Sequence, residues 1–284
     1  MAYIEVKDVC KQYSGHVAVD HVSMVVPDGS IYGLLGPNGA GKTSLIRIIN
    51  RITHADSGEV LMHGRPMEDT DVRHIGYMPE ERGLYKKMKV RDEIFYLAQL
   101  RGMSKADARK AMDEWLQRFN LAEWADKKVE QLSKGMAQKV QFITTVLHRP
   151  PLLIFDEPFS GFDPLNADIL KREILRLRDE GAAILFSTHN MSSVEEICEE
   201  ITLINHAKVV LQGRVWDIRQ QFKQNVLEVT TVDGKSFNYT LKEGESMHDA
   251  ISHLNDEYQL TGFREVLPSM HDVFVQSVKS TDYE

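Results

Sequence analysis

Cysteine, long apolar runs and clustered basic residues are all scarce in this chain of 284 residues. The two cysteines, Cys10 and Cys198, lie far apart and match neither a metal-finger nor a redox CxxC spacing. That excludes a disulfide scaffold and suits two reduced thiols in a cytosolic protein. No apolar stretch approaches the roughly 18 residues that cross a bilayer, so no span of its own is expected and any membrane role must come through a partner. Glu5, Lys7 and Asp8 fall within the first ten residues, so a signal peptide is not expected either. Acidic side chains outnumber basic ones, 42 to 34, for a formal net charge of −8, and no long basic run occurs. This balance speaks against a nucleic-acid-binding surface. Internal repeats and low-complexity segments are also missing. What remains is an ordinary apolar fraction, 42%, on a chain long enough for one large domain and a smaller one.

One stretch organises the chain. Gly36-Pro37-Asn38-Gly39-Ala40-Gly41-Lys42-Thr43 follows the apolar run Ile31–Leu35 and precedes Ser44–Asn50, whose apolar residues recur at helical spacing. Strand, glycine-rich turn, helix is the context of a Walker A phosphate loop. Glycines let successive N–H groups point into one concavity, and the helix N-terminus adds partial positive charge to it. Lys42 is placed to reach the β- and γ-phosphates and the Thr43 hydroxyl to ligate Mg²⁺.

Residues 3 to 35 alternate apolar and polar, with a turn at Pro27-Asp28-Gly29, and predict antiparallel strands. Further short strands are expected at 57–64 and 75–79. From about residue 90 the period becomes helical, with three helices marked by Ile94 to Leu100, Ala106 to Phe119 and Val140 to Leu147. Strand character returns at Leu152–Phe155 and Ala182–Phe186, separated by a charged helix over about 165–180. That alternation predicts parallel pairing through a crossover helix, and hence a helical block inserted into an α/β domain. Beyond Gly213, two strands flank Val232-Asp233-Gly234-Lys235, a hairpin signal, and Ser246 and Ser269 each open a capping box.

Three further stretches carry candidate chemistry. Leu152-Leu153-Ile154-Phe155-Asp156-Glu157 ends an apolar strand in two carboxylates: Asp156 suits Mg²⁺ and Glu157 an attacking water. His189 follows the next strand and is either a catalytic partner at the same sheet edge or a structural histidine. Leu132-Ser133-Lys134-Gly135-Met136 is a helix start, either a simple N-cap at Ser133 or a second phosphate cradle.

In this order and spacing the motifs resemble the ATP-binding subunit of an ABC transporter over about residues 2 to 214. Gly36 to Thr43 matches Walker A, with Ser44 the hydroxyl residue after it. Asp156 and Glu157 match Walker B and the catalytic glutamate, and His189 the switch histidine. Ser160-Gly161-Phe162-Asp163-Pro164 looks like the D-loop, and Tyr13 like the aromatic residue that stacks on adenine. Ser133 and Gly135 keep the signature positions expected at a γ-phosphate, whereas Lys134 and Met136 replace the usual Gly and Gln. Glu80 stands where the family has a glutamine near Mg²⁺ and water, which adds negative charge there.

The resemblance implies an α/β P-loop NTPase of the ABC ATPase fold, with an antiparallel β subdomain and an inserted helical subdomain over about 84–150. Domain 1–214 would bind nucleotide, and 215–284 would form a small C-terminal α+β accessory or regulatory domain. It further implies ATP and Mg²⁺, and head-to-tail pairing with a second ATP-binding subunit, a homodimer in the simplest case. Transmembrane permease subunits would be the other partner. The place would be the cytoplasmic face of the cell membrane and the task export, as in the sodium and drug-efflux group. A soluble ABC-type ATPase acting on ribosomes or DNA is the alternative, opposed by the single cassette, the lack of heptads and the acidic balance. A small-molecule kinase is opposed by the signature and D-loop matches.

Overall fold

The computed structural model describes residues 1–81, 83–160 and 162–281. The chain divides into two compact units, Met1–Gln212 and Gly213–Glu284. In chain order the first contains β1 (Ala2–Tyr13), β2 (His16–Pro27), β3 (Ile31–Leu35), α1 (Lys42–Ile49), β4 (Ser57–Met62), β5 (Arg65–Pro66) and β6 (Ile75–Met78). Three helices follow, α2 (Val90–Leu100), α3 (Lys105–Arg118) and α4 (Lys134–Val146). The rest is β7 (Leu152–Asp156), α5 (Pro164–Asp179), β8 (Ala183–Thr188), α6 (Met191–Ile197), β9 (Glu200–Asn205) and β10 (Lys208–Arg214).

Two sheets result. The antiparallel one has order β2-β1-β4-β5 and the larger one β10-β9-β3-β8-β7-β6. In the larger sheet β3 lies between β8 and β9, β7 between β6 and β8, and all four of these pairings are parallel. Strands buried on both faces read as continuous apolar runs, and every residue of β3, β7 and β8 is buried. The alternating β2 instead shows one buried and one solvated face along most of its length. A shared core of Val6, Val22, Leu34, Ile46 and Ile154, among others, joins the two sheets around α1.

Parallel pairing has one consequence that matters for chemistry. The C-terminal ends of β3, β6, β7 and β8 come to one edge, where open α/β sheets place their ligands. The segments leaving that edge begin at Gly36, Pro79, Glu157 and His189.

The second unit contains α7 (Val215–Gln221), β11 (Val226–Thr231), β12 (Ser236–Thr240), α8 (Met247–Tyr258), β13 (Leu260–Val266) and α9 (Met270–Thr281). The expected hairpin is there, with Val226 opposite Thr240 and Thr230 opposite Ser236. A third strand, β13, which the sequence pattern did not reveal, pairs on the other side of β11. Leu227, Val229, Ala250 and Leu254 form its small core against α8. The Ser246 and Ser269 hydroxyls accept from the Asp249 and Asp272 amides, capping α8 and α9.

Candidate active site

Between β3 and α1 the backbone turns through three glycines with positive φ: Gly36 (148°), Gly39 (81°) and Gly41 (113°). Two of them also sit where no side chain fits. A Cβ on Gly36 would lie 2.1 Å from the Ile204 carbonyl oxygen, and one on Gly41 2.1 Å from that of Ala18. Lys42, the first residue of α1, is 7% exposed and folds back to donate to the Gly36 and Pro37 carbonyls, at 2.6 and 3.1 Å. Burial holds its ammonium below the ordinary lysine range; the carboxylates of Glu157, Asp156 and Glu80 act in the opposite sense. The Thr43 hydroxyl donates to Asp156 at 3.4 Å, across from the end of β7. Asp156 is itself pushed up, first by burial and then by Glu157 and Glu80 among its charged neighbours.

A cleft of about 340 Å³ opens over this loop. It is lined by Asn38 to Ser44 of the loop and α1, by Glu80, Asp156 and Glu157 after β6 and at the end of β7, and by Tyr13, His16 and Ala18 of β1 and β2. Three carboxylates against one lysine is an arrangement that disfavours a bare triphosphate and favours one carrying a divalent cation. Thr43 and Asp156, which touch, and Glu80, which lines the same cleft, are the residues that could hold such a cation.

Glu157 has the most constrained geometry at this edge. Its backbone is left-handed, φ 49°, and its amide donates to the Ser187 carbonyl at 2.9 Å. One carboxylate oxygen accepts from the Thr188 hydroxyl at 3.1 Å. The other accepts from the His189 amide at 2.8 Å and lies 2.6 Å from His189 Nδ1. A non-glycine residue in αL is sustained only by surroundings that over-determine it, and here the end of β8 and His189 just after it supply all four contacts.

The structure does not bring every predicted residue together. Ser133 caps α4, accepting from the Met136 amide, and Gly135 faces Phe162 and Asn166 rather than the cleft. Asp163 caps α5 through the Asn166 amide. None of these three lines the cleft, and Gly161 of the same segment lies outside the described residues.

Sequence reasoning also missed residues. His16 and Ala18 join Tyr13 because β1 and β2 pair Tyr13 with His16 across their turn. The signal was the two-residue Ser14-Gly15 connection. Gln138 and Gln141 are both buried on α4, 2% and 4% exposed. Their amides donate to the Pro158 carbonyl at 3.1 Å and the Pro79 carbonyl at 2.8 Å, tying one helix to the segments after β7 and β6. Two glutamines three apart, beside the apolar residues Ala137, Val140 and Phe142, were the available clue.

Fold and loop geometry define a nucleotide-binding P-loop domain. A family model described as "ABC transporter" matches residues 19–160, and one described as "ATP-binding protein DrrA1-3-like, C-terminal domain" matches 213–278. The ABC transporter ATP-binding protein YhaQ of Bacillus subtilis is 40% identical, over 97% of this chain and 98% of its own length. The lipopolysaccharide export system ATP-binding protein LptB of Escherichia coli is 30% identical, over 78% of this chain and 94% of its own. A solved ATP-binding subunit of an ABC transporter superposes with a TM-score of 0.73 at 32% identity, covering 78% of this chain and 93% of that one. The chain belongs to the ABC transporter family and is an ATP-binding subunit of that kind.

Proposed function

We propose that this subunit binds Mg·ATP in the cleft over Gly36–Thr43 and hydrolyses it to drive a separate membrane permease. The observation that carries the reading is Glu157, a carboxylate lining the cleft and fixed by Thr188 and His189. A water seated between Glu157 and the γ-phosphate would lose its proton to that carboxylate, and His189, joined to the same oxygen, would orient it. Lys42 and the loop amides would hold the phosphates. A divalent ion would neutralise charge on the β- and γ-oxygens, with Thr43, Asp156 and Glu80 as its protein partners. Tyr13, 41% exposed at the cleft wall, would offer its ring to adenine.

In this reading two copies pair head to tail about a two-fold axis. Ser133 and Gly135 of one would then complete the site of the other, which accounts for their distance from the cleft of their own chain. Asp163 would lie at the same junction. Closure on ATP and opening after hydrolysis would supply the stroke.

The permease would dock on the helical block over about 84–150. Tyr85 and Tyr96 are 54% and 41% exposed, with ring centroids 6.1 Å apart, and Leu100 on the same helix as Tyr96 is 64% exposed. Such an apolar group is a candidate contact surface. Among the described residues no helix is long and apolar enough to cross a membrane, so the path for substrate would come from that partner and the subunit would sit on its cytoplasmic face. Transport would run outward, a direction that the similarity to LptB, of a lipopolysaccharide export system, supports. The unit from Gly213 onward would be an accessory or regulatory domain.

Co-expression with a multi-spanning membrane protein, sought among the products of neighbouring genes, is the test. The expected result is a co-purifying complex with Mg²⁺-dependent ATPase activity, lost on Lys42→Ala. ATPase activity that instead follows ribosomes or DNA, without a membrane partner, would overturn the reading.

A further inference from the structure

We propose that Cys10, Asp20 and His21 form a site for a thiophilic divalent transition metal of the zinc class, which fastens the two strands of the β1–β2 hairpin. Among the described residues this is the one group in which three such side chains offer ligand atoms within 4.8 Å of one another. It joins a thiol, an imidazole and a carboxylate, the donor types that tetrahedral zinc accepts.

The backbone explains how they meet. Val9 pairs with Val22 and Lys11 with Val19, so that Cys10 alone on β1 stands against both Asp20 and His21 on β2. In a regular ladder two consecutive residues point to opposite faces. A bulge with two residues against one re-aims a side chain, and here His21 has a left-handed φ of 52° and its amide donates to the Cys10 sulfur at 3.3 Å.

The surroundings suit a metal. Asp8 Oδ1 lies 2.7 Å from His21 Nδ1, the carboxylate–histidine arrangement that orients metal-binding imidazoles. Nε2 is 3.9 Å from Asp20 Oδ1, while Lys208 engages the other oxygen, Oδ2, at 3.4 Å. Cys10 is partly exposed, whereas Cys198 is buried and burial drives its thiol far above the usual range. Metal–ligand bonds of about 2.0–2.3 Å require the three atoms to close by roughly 1 Å, which rotation of the exposed His21 side chain and of the half-buried Cys10 and Asp20 side chains supplies.

A consequence for nucleotide follows from topology and rests on the reading above. The chain between Cys10 and Asp20 carries Tyr13, His16 and Ala18, all of which line the cleft. A metal joining Cys10 to Asp20 and His21 closes the base of that turn and orders its cleft-facing residues.

The test is a titration of the metal-stripped full chain with Co²⁺ as spectroscopic probe, without nucleotide, so that it stands apart from the nucleotide reading. One Co²⁺ per chain is expected, with thiolate-to-cobalt charge-transfer absorption. Cys10→Ser should abolish the band, Cys198→Ala should leave it, and Asp8→Asn should weaken binding by about tenfold. A band that survives Cys10→Ser, or no binding at one equivalent, would overturn the site. Loading with Zn²⁺ should then tighten ATP binding by about fivefold, the low end of coupling between sites, and Cys10→Ser should erase the difference. Equal ATP affinity with and without Zn²⁺ in the wild-type chain would overturn the coupling.

Discussion

His189 and Glu157 share one oxygen atom: Oε1 of the glutamate accepts from the His189 amide at 2.8 Å and sits 2.6 Å from its ring Nδ1. The histidine is therefore tied to the glutamate by backbone and side chain together. If Glu157 is the base, Glu157→Gln keeps the shape, since an amide oxygen still accepts from the His189 N–H, but loses the basicity. Steady-state ATP hydrolysis should fall by roughly 10²–10⁴-fold. ATP binding should persist, and size-exclusion chromatography in ATP should show an accumulating dimer. Unchanged turnover would remove Glu157 from the mechanism.

Gly36 and Gly64 offer a matched pair for the phosphate loop. Both have positive φ, but a Cβ meets the Ile204 carbonyl at 2.1 Å on Gly36 and nothing within 4 Å on Gly64. Gly64→Ala should cost only the backbone strain, about 1 kcal/mol. Gly36→Ala should cost clearly more, because a carbonyl of β9 must move, and should weaken nucleotide binding as well. Denaturant unfolding of the two variants side by side gives the comparison; equal losses would refute the packing argument.

Gln141 reaches the segment bearing Glu80 from α4 without lining the cleft. Gln141→Leu keeps the volume and leaves the Pro79 and Glu81 carbonyls without this donor. A loss of about 1–3 kcal/mol in unfolding free energy is expected. The kcat for ATP should drop while nucleotide affinity in the absence of hydrolysis stays within experimental error. A selective loss of affinity would place Gln141 in ground-state binding instead.

His148, just past the end of α4, has both ring nitrogens buried with no hydrogen-bond partner among the described residues, and burial together with Arg101 holds its pKa down at about 4. Its ordinary value is near 6.5. Because the folded value is the lower one, the unfolded chain binds the extra proton first, and this residue's contribution to stability falls as pH drops from about 6.5 toward 4. Between pH 7 and pH 5 the loss is about 2 kcal/mol. In a His148→Leu variant the acid-side fall in thermal midpoint should shrink correspondingly; an identical pH profile would disprove it.

Much of the nucleotide-binding unit is legible in the sequence alone. The phosphate loop, Asp156-Glu157 and the run before His189 are local signals. A glycine pattern or an apolar strand closing on carboxylates carries its meaning in a few consecutive residues. The three helices of the inserted block and the Ser246 and Ser269 caps were readable on the same ground, by periodicity and capping chemistry. Less local features stayed hidden. The strands β9, β10 and β13 went unnoticed, because a short edge or inner strand carries no periodicity of its own once pairing decides which face is buried.

Tertiary structure alone decided which local signals meet. Parallel β3, β7 and β8 carry Lys42, Asp156, Glu157 and His189 to one edge although 147 positions separate the first from the last. A bulge on β2 turns Asp20 and His21 toward Cys10, and α4 uses two glutamines to grip loops 62 and 20 residues away. Register and crossover depend on the whole sheet, so no window of sequence could state them. The order of residues along the chain was enough to single out Gly36–Thr43 as a phosphate-loop motif. Only the fold separates the cleft residues from Ser133, Gly135 and Asp163, since the direction in which a helix start points is set by what the helix packs against.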